Sequence, residues 1–332
     1  MQQLEIGTNE AGQRLDKYLK KLLPQAESSF IYKMLRKKNI VRNGQKTQGS
    51  VHLAPGDRIT LYFSDETFAK FSAPRPFLTV PRAELKILYE DKEILMIDKP
   101  AGMLSQKAAA SDYSANEQII QYLLDSGAVT QQTLKTFRPS VCNRLDRNTS
   151  GILIAGKTLH GLQKMSEQLK ERSIKKYYRC IVSGDVRQGQ RLKGWLKKDT
   201  KSNQVTVTSS DQSQNPKEFG TQNSQYIETE YQPVGQGDGC TMLEVHLITG
   251  RPHQIRAHLA SVGHPIIGDR KYGDPAVNSR YYKEAGITHQ LLHAYRVELA
   301  DGTQVTAPLP DDFAGIPVRT MPKSCQGPSP KE

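Results

Sequence analysis

Residues 143–151 read Asn143-Arg144-Leu145-Asp146-Arg147-Asn148-Thr149-Ser150-Gly151. This is a polar loop between apolar segments. It sets one carboxylate, Asp146, between two arginines and follows it with small hydrogen-bonding residues. A lone loop carboxylate is more often a turn residue than a reactive group, although loops on a rigid scaffold are where sites are carried. Ile152 to Ala155, next in the chain, reads as a short apolar strand, and so does Ile94 to Ile97, which ends on the turn Lys99-Pro100-Ala101-Gly102.

Outward from this loop, Leu159, Leu162, Met165 and Leu169 fall at helical spacing, Tyr177 to Val182 is a strand candidate, and Leu243 to Ile248 alternates as a strand. Pro252 to Val262 reads as a helix, with Pro252 tolerated in its first turn. Helices and strands alternate irregularly, which predicts a mixed α+β fold rather than a doubly wound parallel sheet. Residues 198–224 are rich in Ser, Gln, Asn and Thr and read as an exposed hairpin or insertion. From Pro308 onward there are six prolines in 25 residues, read as a flexible tail over 308–332.

A second segment with chemical potential is Thr249-Gly250-Arg251-Pro252-His253-Gln254-Ile255-Arg256-Ala257-His258-Leu259. Ile255, Leu259 and Val262 form its buried stripe, while Arg256 lies on another azimuth and can point from the helix start into a cleft. His253 and His258 are five apart, about 140° around a helix, so they do not share the face that an i, i+4 zinc pair needs. No metal site is expected. The chain also lacks the glycine patterns of nucleotide-binding loops and the nucleophile elbow of hydrolases.

Of 332 residues, 46 are Lys or Arg and 34 Asp or Glu, a net charge of +12. Residues 12–63 alone hold 11 basic and 3 acidic residues, so most of the excess sits in one short segment, as suits a polyanion partner. Leu15, Leu19, Leu22 and Leu23 form one helical face there, and Pro24 ends the helix. Ser28 and Ser29 can cap a second helix with apolar positions Phe30, Ile31, Met34 and Leu35 and basic residues Lys33, Arg36, Lys37 and Lys38. Asn43-Gly44 signals a hairpin turn, and Arg58 to Phe63 alternates as a strand. Residues 64–82, with Pro74, Pro76 and Pro81, read as a linker. Four scattered cysteines, Cys142, Cys180, Cys240 and Cys325, form no CxxC pair and are expected to be reduced thiols. No stretch has the ~18 consecutive apolar residues of a membrane span. Met1 to Asn9 lacks signal-peptide character, so a cytoplasmic location is expected.

Several motifs carry a family resemblance. The segment 143–151 is similar to the "H-R-L-D-x-x-T-S-G" pattern of the RluA family of pseudouridine synthases. Lys176 to Gly184 resembles its "K-x-Y-x-A-x-V-x-G", Thr249 to His258 its "T-G-R-x-H-Q-I-R-x-H", Gly268 to Gly273 its "G-D-x-x-Y-G", and Leu292-His293-Ala294 its "L-H-A". Two departures are Asn143, where the family usually has His, and Cys180, where it has a small Ala. Residues 12–63 resemble an S4 RNA-binding domain, through Arg14-Leu15-Asp16, the basic second helix and Ile40 to Gly44.

The resemblance implies a catalytic domain over 83–307, with a mixed, largely antiparallel sheet and a central cleft, behind the S4-like domain. It implies conversion of uridine to pseudouridine in structured RNA, with large-subunit ribosomal RNA as the expected target. Asp146 is implied as the catalytic carboxylate acting on a flipped-out nucleotide, Arg256 as its partner, and Tyr178 as the ring that stacks on uracil. Whether Asp146 attacks ribose or base, or removes a ribose proton, is left open by the sequence. Arg144 is implied either to fill the vacated stack or to contact neighbouring phosphates, and Lys176 to be a phosphate contact or a buried ion-pair member. Arg14, Lys33, Arg36, Lys37 and Lys38 are implied RNA contacts in the S4-like part. The isomerisation is redox-neutral and needs no cofactor. Monomeric behaviour is the default. Transfer RNA as substrate, and a non-enzymatic RNA-binding or ribosome-assembly role, are the alternatives.

Overall fold

The computed structural model describes residues 1–8, 10–73, 84–109, 111–199, 204–209 and 224–321. Its first packed unit starts with β1 (Gln2–Glu5), followed by helices α1 (Leu15–Leu22) and α2 (Ser28–Arg36). Strands β2 (Ile40–Arg42), β3 (Gln45–Lys46) and β4 (Arg58–Leu61) and helix α3 (Asp65–Ser72) complete it. The strands form a sheet in the order β1-β4-β2-β3. The expected leucine face of α1 is buried throughout, and Ile31 and Leu35 of α2 join it in one core. The cap of α2 is Glu27, without a side-chain hydrogen bond, rather than Ser28 or Ser29. Asn43 and Gly44 both take positive φ, 51° and 73°, as the two-residue turn between β2 and β3 requires.

This unit is wider than 12–63. β1 pairs with β4, and α3 places Phe68 and Phe71 against the same core, with the Phe71 ring 4.5 Å from that of Phe30. Part of the expected linker is thus a helix capped by Ser64, whose hydroxyl accepts from the Thr67 N–H. The rest, residues 74–82, lies outside the described residues.

The large unit runs through β5 (Ile87–Glu90), β6 (Ile94–Lys99), α4 (Ala115–Asp125), α5 (Thr133–Thr136), β7 (Ser140–Val141), β8 (Ser150–Gly156) and α6 (Leu159–Glu171). It continues with β9 (Lys175–Ser183), β10 (Gln190–Lys198), β11 (Val205–Ser209), β12 (Ser224–Gly237) and β13 (Cys240–Leu247). Helices α7 (Gln254–Ser261) and α8 (Pro275–Ala285), strands β14 (Leu292–Glu298) and β15 (Gln304–Thr306), helix α9 (Asp311–Ala314) and β16 (Arg319–Thr320) close it. Its sheet follows β11-β10-β12-β13-β9-β14-β8-β6-β5, with β15 on β14, β16 on β12 and β7 on β8. The expected mixed, largely antiparallel sheet is what forms, and each strand expected here lies within or overlaps an observed one.

The one parallel pairing among the described strands joins β14 to β8 through His293↔Ser150 and Ala294↔Gly151. Two motifs distant in sequence meet there. Gly151 has φ 107°, and a Cβ on it would lie 2.2 Å from the Ala294 carbonyl oxygen, so no other residue allows this approach. The Ser150 hydroxyl and His293 Nδ1, 2.8 Å apart, tie the strands together in the buried interior. One face of the sheet carries a core with α4, and α6 covers a second core built on Ile94, Met96, Ile152 and Ile154.

Of the expected insertion 198–224, β11 is described and pairs with β10, while 200–203 and 210–223 lie outside the described residues. The expected loose tail is in fact folded through Thr320. Phe313 and Ile316 are buried against Tyr281 and Ile287, and β16 pairs with β12. Apolar anchors between the prolines outweigh proline content there. Residues 322–332, Cys325 among them, lie outside the described residues. Cys142, Cys180 and Cys240 are free thiols.

Candidate active site

The loop 143–149 enters from β7 and turns back into β8. Asn143 fastens its base, accepting from the Ile154 N–H and donating to the Ile152 carbonyl. Ser105 grips Leu145 through both its N–H and its carbonyl. Lys99, fully buried at the end of β6, donates to the carbonyls of Pro100, Met103 and Arg147. Burial drives its ammonium down to about 7, against the pull of Asp146 and Asp98. Asp146 is thereby held at the open end of the sheet with its side chain 26% exposed.

A second loop brings Arg256. Gln254, buried at the start of α7, accepts from the Thr249 hydroxyl and the Arg251 N–H and donates to the Glu228 carbonyl and Thr229 hydroxyl. His253 caps the helix in the left-handed region, φ 55°, a conformation uncommon for a non-glycine residue and frequent where structure is held for function. From this fixed turn the Arg256 guanidinium reaches Asp146 Oδ2 at 2.7 Å. Its other edge donates to both oxygens of Asp269, at 2.6 and 2.8 Å. Asp269 is completely buried and also accepts the Lys271 and Tyr272 N–H groups. Burial alone would raise its carboxyl, but Arg256 and the two backbone donors hold it below the usual range. The Tyr272 ring lies under the guanidinium at 5.2 Å, and its hydroxyl meets His253 Nδ1 and the Val205 N–H.

Between the two loops lies a cleft of about 880 Å³. Asp146, Arg256 and Tyr178 all line it. Tyr178 is buried on β9, and burial, then the Asp146 charge, pushes its phenol above the usual value. Among the described residues, Asp146 is the one acid that lines the cleft. Eight of the lining residues are Lys or Arg, including Lys176 and the exposed Arg144, Arg147, Arg172 and Arg251. Such a wall suits an anion, and the floor offers a pinned carboxylate next to a buried ring.

The residues expected on the N-terminal helices lie on the other unit. Lys33, Arg36, Lys37 and Lys38 are exposed, whereas Arg14 is turned to Asp16 at 2.7 Å, with the Tyr32 hydroxyl donating to the same carboxylate. His253 and His258 bond different partners, Tyr272 and Thr229. Among the described residues, no helix is long and apolar enough to cross a membrane. Sequence reading missed the roles of Asp269, Tyr272 and Lys99. The first two stood inside a quoted motif, whereas Lys99 appeared only as part of a turn.

The profile of the family described as RNA pseudouridylate synthase matches residues 93–261. Among curated proteins, the chain is 31% identical to ribosomal large subunit pseudouridine synthase C of Haemophilus ducreyi, covering 92% of this chain and 91% of that one. It is 28% identical to ribosomal large subunit pseudouridine synthase D of Nitrosomonas europaea, covering 97% and 89%. Among solved structures, human RNA pseudouridylate synthase domain containing 4 shares the fold, with a TM-score of 0.57 and 21% identity over 69% of this chain and 90% of that one. The matched span holds the Asp146 loop, Tyr178 and Arg256, and on these likenesses the chain belongs to the RNA pseudouridylate synthase family, of the RluA type.

Proposed function

We propose that this enzyme isomerises uridine to pseudouridine in large-subunit ribosomal RNA, with Asp146 as the catalytic residue. One observation carries the reading: Asp146, pinned by Arg256, is the only acid among the described residues lining a cleft to which eight Lys and Arg residues also contribute. The bacterial relatives, ribosomal large subunit pseudouridine synthases matched over nearly the whole chain, support ribosomal RNA as the substrate.

The reaction breaks the bond from N1 of uracil to ribose, turns the base, and joins C5 to the same ribose carbon. The C5 proton leaves and N1 gains one, so atoms balance without oxidant or reductant. The target base is stacked in folded RNA and must be extruded first. Tyr178 takes the extruded ring, a contact worth ~1–3 kcal/mol. Arg256 keeps the Asp146 carboxylate aimed at the sugar–base junction, and Asp269 keeps Arg256 from swinging away. Arg144 and Lys176 contact the RNA around the flipped nucleotide. The N-terminal unit serves as an S4-like RNA-binding domain, in which Arg14, Lys33, Arg36, Lys37 and Lys38 lie on phosphates. The enzyme works as a cytoplasmic monomer.

The test is release of tritium from C5-labelled uridine, with large-subunit ribosomal and transfer RNA transcripts side by side. Release from the ribosomal transcript alone is expected. Release from transfer RNA alone would move the substrate, and binding without release from either would leave an RNA-binding protein in place of an enzyme.

A further inference from the structure

Lys176 precedes Tyr178 by two residues on β9, so the two side chains share a face, and both line the cleft. They stand ~7 Å apart along the strand. The Lys176 side chain is half-buried, yet among the described residues no carboxylate forms an ion pair with it. Its electrostatic neighbour is another cation, Arg172, and burial together with Arg172 lowers its ammonium below the usual lysine value. Arg172 ends α6 in the left-handed conformation, φ 64°, and is exposed at the cleft edge. Opposite them the chain is a glycine: a Cβ on Gly250 would lie 3.3 Å from Lys176 Nζ. Among the described residues the corner therefore holds two cations, bare backbone and no paired carboxylate. Desolvating like charges together is unfavourable in the empty protein and becomes favourable when an anion enters between them.

We propose that Lys176 and Arg172, over Gly250, form the subsite for the backbone phosphodiester attached to the flipped nucleotide. This rests on the functional reading above and deepens it. The subsite lies one base-to-phosphate reach from Tyr178, so a nucleotide whose base stacks on Tyr178 delivers its own phosphate to Lys176. The pair then sets the register of the RNA chain in the cleft, and with it which ribose faces Asp146. Gly250 leaves room for the phosphate oxygens that a side chain would fill.

The experiment measures binding of the full-length protein to a large-subunit ribosomal RNA transcript across a salt series. Wild type, Lys176→Met, Arg172→Gln, the double variant and Lys176→Arg are compared, with tritium release followed in parallel. Each single variant is expected to bind several-fold more weakly, and the slope of log affinity against log salt is expected to shrink by about 0.7–0.9, the signature of one lost phosphate contact. The double variant should lose little beyond the singles, since both residues serve one phosphate, and Lys176→Arg should restore the slope. Arg172 is exposed, so its variant reports even if Lys176→Met folds poorly. An unchanged slope in Arg172→Gln and Lys176→Met, with wild-type tritium release normal, overturns the subsite. Absence of release by the wild type, with the slopes shifted as expected, instead overturns the functional reading and leaves the anion site standing.

Discussion

The two basic regions of this molecule are built on opposite plans. On α2 and just past its end the cations Lys33, Arg36, Lys37 and Lys38 are exposed. In the cleft, Arg256 is 8% exposed and shared between two carboxylates, one of them fully buried. Exposed charge costs little and gives long-range, salt-sensitive attraction, but it fixes no geometry. Buried charge is tolerated only when matched, and the matching that protects the fold also fixes the position of the Asp146 carboxylate. Affinity and aim are thus separable here, and substitutions in the two regions should differ in kind as well as size.

The largest effect belongs to Arg256→Met. It strands Asp269 without its bidentate partner and should cost about 3–5 kcal/mol of stability, as well as turnover. Thermal melting and tritium release would both fall. A variant that melts like wild type would break the contrast between the regions. Next comes Lys99→Met, which leaves three carbonyls without their donor, on the order of 3 kcal/mol. One of these carbonyls belongs to Arg147, beside Asp146, so single-turnover rate should drop by about a hundredfold while RNA affinity changes little.

A pH effect follows from His258, buried on α7 beside Thr229, with its imidazole pushed down to about 4 by burial. Its folded value lies below the unfolded one, so the unfolded chain binds the extra proton first. Stability is full above about 6.5 and is lost as pH falls toward 4, by up to about 3 kcal/mol. Comparing urea midpoints of wild type and His258→Asn at pH 7 and 4.5 isolates this share, and equal losses in both proteins would remove it. The smallest structural effect is expected where exposed charge is highest. Replacing Lys33, Arg36, Lys37 and Lys38 with Gln should leave the melting point within a few degrees, because exposed charges contribute at most about 1 kcal/mol. It should nevertheless weaken RNA binding and flatten its salt dependence.

The sequence made the two cleft loops legible because their residue types and order are specific. Asp146, Tyr178 and Arg256, far apart in the chain, converge on one cleft. What stayed hidden depends on contacts between distant segments. β1, Gln-Gln-Leu-Glu, carries no apolar pattern of its own and is a strand because β4 offers it an edge. The tail looked loose from its prolines, yet Phe313 and Ile316 find a buried pocket beside α8. Asp269 lies 13 residues from Arg256, and only the turn before α8 shows that it is the clamp behind the arginine. Lys99 read as part of a turn, and its grip on Arg147 spans 48 residues.

The role proposed for Asp146 is tested by single-turnover tritium release from a large-subunit ribosomal RNA transcript by Asp146→Asn, with RNA affinity and melting measured on the same sample. Affinity and melting are expected close to wild type, with release slowed by about 10²–10⁴-fold or more. Release at the wild-type rate from a folded, RNA-bound Asp146→Asn would contradict that role.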